Sequence, residues 1–354
     1  MKLLIGGSST FMFHLQEFAK KLNELGVETK LVYDADYADG FPSRKISTWF
    51  NNKKKFERLV DEFKPDAIFI DREKHFGIAS IEKNIPLMVL LRGHYWSELE
   101  WYKKTIYKKF PKNIIIKKWD DIAQRIFQEA EMILPICKYL EDVTNEFVPN
   151  KKTDVFFEGI DASRWYQTEG MKLKHPCVGL VQRANWWGKT SEMLVLKKVL
   201  EKMPNVHFYW AGDGPFRHKI MDELGNYENF HWLGKLEYPN KVREFLTEID
   251  VYALITGMDL APLSLKEAQL MEKPVIATNV GGNPEMMIDG KTGFLVEKGS
   301  HDDIIKKISL LLEDKKMSLD MGIAGRKFIE ETYNWDVVTK KFIRIFESNM
   351  EKTH

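Results

Sequence analysis

Only two cysteines, Cys137 and Cys177, occur in the 354 residues. Two thiols cannot make a disulfide framework or a zinc ribbon, so no structural metal is expected. No run of apolar residues approaches the ~20 that a membrane span needs. The opening stretch, Met1-Lys-Leu-Leu-Ile-Gly-Gly-Ser-Ser9, is too brief for a signal peptide and runs into glycines, so a cytoplasmic location is expected. Charge of one sign is missing too: 53 Lys and Arg face 52 Asp and Glu, a net +1 that argues against a nucleic-acid partner. The first apolar run ends in Gly6-Gly7-Ser-Ser-Thr10, not Gly-x-Gly-x-x-Gly, which counts against a dinucleotide-dependent oxidoreductase. There is no internal repeat and no low-complexity tract. What is present is 44% hydrophobic and 12% aromatic residues, enough to bury real cores. At ~100–200 residues per domain, two or three domains fit the length.

Short apolar runs alternate with amphipathic stretches along the chain. In the first half Leu3–Ile5, Thr29–Tyr33, Ala67–Ile70, Leu87–Leu91 and Met132–Leu134 read as strands. They lack the alternation of a half-exposed antiparallel strand, so buried parallel strands are expected. Phe11–Leu25, Lys53–Phe63 and Trp119–Ala130 have helical spacing. The pattern restarts after Pro176 with Val178–Val181, His207–Ala211, Phe230–Leu233, Val251–Ile255, Pro274–Thr278 and Gly293–Val296. Helices are expected to begin near Thr190, Phe216, Lys241, Leu263 and Pro284. The polar, aromatic stretch Gly159–Pro176 separates the halves. This grammar predicts an α/β chain of two doubly wound, Rossmann-like domains facing each other across a cleft, with ligands at the carboxyl ends of the strands.

Asp259-Leu-Ala-Pro-Leu-Ser-Leu-Lys-Glu267 sets two carboxylates eight apart. Lys273-Pro-Val-Ile-Ala-Thr278, Gly281-Gly-Asn-Pro-Glu285 and Asp289-Gly-Lys-Thr-Gly-Phe-Leu-Val296 follow it. Upstream stand Ala211-Gly-Asp-Gly-Pro215 and Trp232-Leu-Gly234, and downstream Tyr333-Asn-Trp335. In this order and spacing the motifs resemble the retaining glycosyltransferases of family 4, which have the GT-B fold. The likeness covers most of residues 178–350. In the first half it rests on Gly6-Gly7, His94 and Phe157-Glu-Gly-Ile-Asp161. It implies an N-terminal domain over residues 1–160 on the acceptor side and a donor domain over 161–335. A last helix over 336–354 would cross back to the first domain.

The chemistry makes sense of the spacing. Pro262 suits the first turn of a helix, whose free N–H groups, with Leu263 and Ser264, form an anion site for a nucleotide-sugar diphosphate. The resemblance gives Glu267 the ribose hydroxyls and Asp259 the sugar hydroxyls near the reacting carbon. Aspartate here is a departure from the family's glutamate and reaches ~1.5 Å less, a misplacement that can cost ~10²-fold in rate. Glu272 is a second departure, standing where the family has a glycine in the left-handed conformation. Arg183, and Lys189 one residue later than the usual Lys-Gly order, are implied as the cations that stabilise the leaving diphosphate. Trp186 and Trp187, between them, line an acceptor sugar or close the loop as a buried lid.

In the first half, Gly6 and Gly7 are expected in a tight turn after the first strand, with backbone N–H groups near a phosphate. His94 falls where the family has a histidine near the donor sugar; a packed loop histidine is the alternative. Arg92 beside it is a candidate for the acceptor. His14 reads as structural. Residues 101–118 hold seven lysines and no acids, interleaved with aromatic residues. Near an anionic bilayer each lysine contributes ~1 kcal/mol, so membrane docking is one reading and a solvated basic helix the other.

Together these features predict transfer of a hexose-type sugar from a nucleoside-diphosphate donor, UDP before GDP, to a hydroxyl of a glycan or lipid-linked acceptor. Retention in this family is thought to need no protein nucleophile. Neither metal nor cofactor is expected, and no Asp-x-Asp cluster stands beside the donor motif. The departures at Asp259 and Lys189 motivate the alternative, a scaffold that binds nucleotide sugar or a partner without transfer.

Overall fold

The computed structural model describes residues 1–9, 12–43, 49 and 53–350. It divides into two compact units: Met1–Gly159 with the C-terminal helix from Trp335, and Ile160–Asn334.

The first unit holds β1 (Lys2–Gly7), β2 (Glu28–Tyr33), β3 (Ala67–Asp71), β4 (Leu87–Leu91) and β5 (Met132–Pro135). All pair in parallel, in the order β2-β1-β3-β4-β5. Every residue of β3 and β4 is buried, as central strands covered by helices on both faces require. The helix Met12–Glu24 lays Leu15, Phe18 and Leu22 on the sheet at helical spacing. Phe11, expected to open this helix, lies outside the described residues. The helix expected over Trp119–Ala130 starts earlier and spans Lys112–Glu129, because Ile116 also reaches the core and extends the buried stripe by a turn. The final helix, Trp335–Met350, belongs to this unit. Its Trp335 ring stacks on Phe18 at 5.8 Å, and its indole N–H donates to Glu17 at 2.8 Å. Gly159 makes room for that ring: a Cβ there would lie 2.2 Å from it.

The second unit holds β6 (Cys177–Val181), β7 (His207–Ala211), β8 (Phe230–Gly234), β9 (Val251–Leu254), β10 (Val275–Thr278) and β11 (Gly293–Val296). These too are parallel, ordered β11-β10-β9-β6-β7-β8. The core between sheet and helices is built on Leu180, Phe208, Trp210, Ala253 and Ile276. The stretch expected to separate the halves packs onto this unit from Ile160 onward. Trp165 is 1% exposed, and Gln167 donates to the Met271 carbonyl at 3.0 Å.

Two helical expectations change. The region near Thr190 is a helix over Trp187–Thr190, a 3-10 segment over Ser191–Val195 and a second helix over Leu196–Lys202. At Pro284 there is only a 3-10 turn, Asn283–Met286, since the chain turns again at Ile288–Thr292 to enter β11.

Glu272 has φ 56°, the left-handed region anticipated for this helix end. A side chain there costs about 1 kcal/mol against glycine. Glu272→Gly is therefore expected to stabilise the second unit by up to about 1 kcal/mol, a rise in Tm of ~2–4 °C. Thermal unfolding by circular dichroism checks this, and a lower Tm would contradict it.

Candidate functional site

In each sheet the chain order reverses once, and the carboxyl ends of the strands flanking that point part their loops. In the second unit the reversal lies between β6 and β9. Arg183 follows β6 and is exposed. Gln182 beside it is buried and donates to the Ile255 carbonyl at 3.1 Å, fixing the ends of β6 and β9 to each other. Lys189 lies in the short helix after β6 and forms an ion pair with Asp259 in the loop after β9. Both side chains are largely covered, at 27% and 16% exposure, so this pair is worth more than a solvated one. The Asp259 backbone is held by Gly282, whose N–H donates to its carbonyl at 2.9 Å. Gly281 lies against the same carbonyl at φ 54°, where a Cβ would approach to 2.1 Å. Only glycine fits both the conformation and the space.

The two tryptophans separate in role. Trp187 packs against the core, 5.6 Å from the Phe216 ring, with the Lys219 ammonium 4.6 Å above it. This packing agrees with the reading of Trp187 as a lid of the loop. Trp186 is half-buried, its ring over Gly188.

The helix Leu263–Leu270 begins after Pro262, which stands at the N-cap with no side chain capping the first turn. Its N–H groups are therefore open to an anion. Leu263 is half-buried at its start, and the Ser264 hydroxyl accepts from Tyr252 at 2.8 Å. Glu267, the fifth residue, is 3% exposed, which removes the reading of a solvated helix acid. Burial pushes its carboxyl up to about 7, against the hydrogen bond from Tyr238 and the charge of Lys266. Lys266 is itself fully buried, over the Tyr333 ring at 4.7 Å. Tyr238 and Tyr252 were not foreseen. Nothing marks Tyr238, in the loop after β8, as the neighbour of a helix some thirty residues on.

The first unit corrects the expected turn at Gly6 and Gly7 and shows what surrounds Arg92 and His94. Gly6 and Gly7 are the last residues of β1, not a turn after it, and pair with Val32 and Tyr33. Their missing side chains make room for Phe76 and Leu15: added Cβ atoms would lie 2.9 and 2.3 Å from them. Arg92 is 9% exposed and forms ion pairs with Asp71, at 2.6 Å, and with Glu158. Its guanidinium is engaged with these two largely buried acids. His94 is the N-cap of the helix Tyr95–Lys104, its Nδ1 accepting from the Ser97 N–H at 3.3 Å. Burial lowers its pKa, which keeps the ring neutral and able to accept. His14, read as structural, is buried 3.9 Å from Glu158.

Residues 167–328 match the family model described as glycosyl transferases group 1. The chain is similar to the sulfoquinovosyl transferase SQD2 of Arabidopsis thaliana, 26% identical over 301 residues, which cover 80% of this chain and 57% of that protein. It spans about three fifths of the length of the curated relatives it matches (57%, 60% and 65%). Among solved structures it resembles sucrose-phosphate synthase from Thermosynechococcus elongatus, with a TM-score of 0.73 at 12% identity over 98% of each chain. It also resembles Anabaena HepE in complex with UDP, with a TM-score of 0.71 at 16% identity over 98% of this chain and 100% of that one. These structures show the fold: two parallel-sheet α/β units, the GT-B architecture.

The raised Glu267 carboxyl has a pH signature. Folded, it holds a proton that the unfolded chain releases near 4.5, so stability falls as pH rises from about 4.5 to about 7 and levels off above. Glu267→Gln keeps the size and the Tyr238 contact without the charge. Its stability advantage over the wild type is expected to grow across that window, by roughly 3 kcal/mol at most. Urea unfolding at pH 5, 6, 7 and 8 measures this; a constant difference would contradict the assignment.

Proposed function

We propose that this chain is a retaining glycosyltransferase of the family 4 kind, moving a hexose-type sugar from a nucleoside-diphosphate sugar, UDP before GDP, to a hydroxyl of a glycan or lipid-linked acceptor. The observation that carries this is the convergence of charge beyond β6 and β9. Two cations, an uncapped helix N-terminus and a buried carboxyl stand on loops that leave neighbouring strand ends.

In this reading Glu267 ionises as it accepts the ribose hydroxyls, and the first turn from Leu263 takes a phosphate. Lys189 exchanges Asp259 for the β-phosphate, which frees the Asp259 carboxylate for sugar hydroxyls. Arg183 adds a second cation. The acceptor oxygen forms its bond to the anomeric carbon on the face where the carbon–phosphate oxygen bond breaks, and the hydroxyl proton passes to a phosphate oxygen. No protein nucleophile and no metal take part. The protein then contributes positioning and electrostatic stabilisation of the departing diphosphate. Acceptor binding is assigned to the first unit.

Arg183→Ala is expected to cut turnover by ~10²-fold or more, since it removes a charge matched to the leaving group. Release of UDP from UDP-glucose in a steady-state assay measures it, and unchanged turnover would remove Arg183 from the diphosphate. The closed Lys189–Asp259 pair also suits the second reading, a scaffold that binds nucleotide sugar without transfer. Consumption of donor with any acceptor would refute that alternative.

We further propose that the chain works from the cytoplasm as a peripheral protein on the inner face of a membrane. No helix among the described residues is long and apolar enough to cross one. Between the helices Tyr95–Lys104 and Lys112–Glu129, Phe110 is 77% exposed, and Ile106 before it and Ile114 in the first turn of the second helix are about half exposed. Lys104, Lys108, Lys109, Lys112, Lys117 and Lys118 are exposed around them. The other aromatics of the segment are partly spent on each other, since Tyr107 meets Trp119 at 5.4 Å and Tyr102 at 5.8 Å. An apolar tip ringed by lysines suits an anionic headgroup layer. Co-sedimentation with phosphatidylserine vesicles is expected, weakened by salt and by Phe110→Ser. Equal binding to neutral phosphatidylcholine vesicles, or none to either, would contradict it.

A further inference from the structure

At the amino ends of β6 and β9, the opposite edge of the second sheet from the proposed donor site, three unlike donors meet. His175 precedes β6, Cys177 opens it, and Asp250 stands directly before β9. Asp250 Oδ2 lies 2.8 Å from His175 Nδ1, and Cys177 Sγ lies 3.7 Å from the same nitrogen. One ligand atom from each residue falls within 4.8 Å of the others. The thiol is buried, while His175 is 39% exposed and opens the cluster to solvent.

We propose that His175 Nδ1, Cys177 Sγ and a carboxylate oxygen of Asp250 form a binding site for a divalent transition metal, zinc foremost, with water as fourth ligand. Bond lengths of ~2.0 Å to nitrogen and oxygen and ~2.3 Å to sulfur put tetrahedral ligand atoms about 3.3–3.5 Å apart. The separations of 2.8 and 3.7 Å to His175 Nδ1 bracket that range, and the sulfur–carboxylate pair, within 4.8 Å, closes by up to about 1.3 Å on binding. The donor set of nitrogen, sulfur and oxygen suits zinc or cobalt and not magnesium or calcium, which take oxygen alone.

A second contact points the same way. His175 Nε2 lies 2.8 Å from a Glu248 carboxylate oxygen. In metal sites a ligating histidine commonly donates its other ring N–H to such a carboxylate, which fixes the tautomer and orients the ring. The Cys177 backbone N–H donates to Asp250 Oδ2 at 2.8 Å, so the carboxylate is oriented as well. On binding, the thiol proton and any proton on Nδ1 leave to solvent, while Nε2 keeps its own for Glu248. The residues counted as too few for a zinc ribbon thus still supply one thiolate to a mixed site. Its role is structural, tying the segment before β6 to the entry of β9, and it does not depend on the transferase reading.

The test uses the full chain, stripped with chelator and titrated with cobalt(II). A sulfur-to-cobalt charge-transfer band in the near ultraviolet is expected, abolished by one equivalent of zinc. The band is expected to vanish in Cys177→Ser and in His175→Ala, whose exposed side chain can be removed without opening the core, and to persist in Cys137→Ser. Glu248→Gln should keep the band and weaken zinc binding by about 10–100-fold. Absence of the band in the wild type, or its survival in either His175→Ala or Cys177→Ser, would overturn the proposal.

Discussion

The reversal of chain order between β6 and β9 is the constraint from which the second unit's chemistry follows. All strands of the sheet are parallel, so every one ends at the same edge, and every crossover helix starts there. At the reversal the two neighbouring strands send their chains to opposite sides, which leaves backbone N–H groups and loop side chains open between them. Arg183, Lys189, Asp259 and the helix from Leu263 all lie on the two loops that leave this point. The amino edge of the same two strands holds His175, Cys177 and Asp250. One strand pair therefore organises both polar clusters, each built from residues brought together by parallel pairing alone.

Two of the three departures from the resembled pattern, at Asp259 and Lys189, are one interaction. Lysine one place late and aspartate one methylene short look like independent defects in the sequence. In the folded chain they form an ion pair with each other, and Gly281 and Gly282 brace the backbone of the acid. In the proposed reading an incoming phosphate must outcompete the Asp259 carboxylate for Lys189. Glu267 supplies the opposite tendency. Burial raises its carboxyl, and in the proposed reading hydroxyl donors of the ligand stabilise its charge.

What could be read from the sequence followed from how local each signal is. The strands were legible because doubly covered strands are continuous apolar runs, as in Leu87–Leu91 and Val251–Leu254. The left-handed Glu272 was legible only through the resemblance, which puts a glycine at that helix end. The start of the helix at Lys112 was hidden, since the lysines around Ile114–Ile116 read as surface while Ile116 alone reaches the core. Long-range contacts were hidden in the same way. Arg92 beside His94 looked available, yet its charge is balanced by Asp71 on a neighbouring strand and by Glu158 much later in the chain. Gly6 and Gly7 looked like a phosphate turn, although Phe76 and Leu15 are what need the space.

The most direct test of the account is a thermal-shift panel on the wild-type chain with UDP, GDP, ADP and their common sugar conjugates. A ligand at ~100 times its Kd adds ~2.7 kcal/mol, a shift of several degrees for a unit of this size. The account predicts a clear rise with one nucleotide class, UDP foremost, and a further rise with its sugar conjugate. No shift with any nucleotide or nucleotide sugar would contradict it, because the donor site beyond β6 and β9 would then bind none of the ligands its charges are matched to.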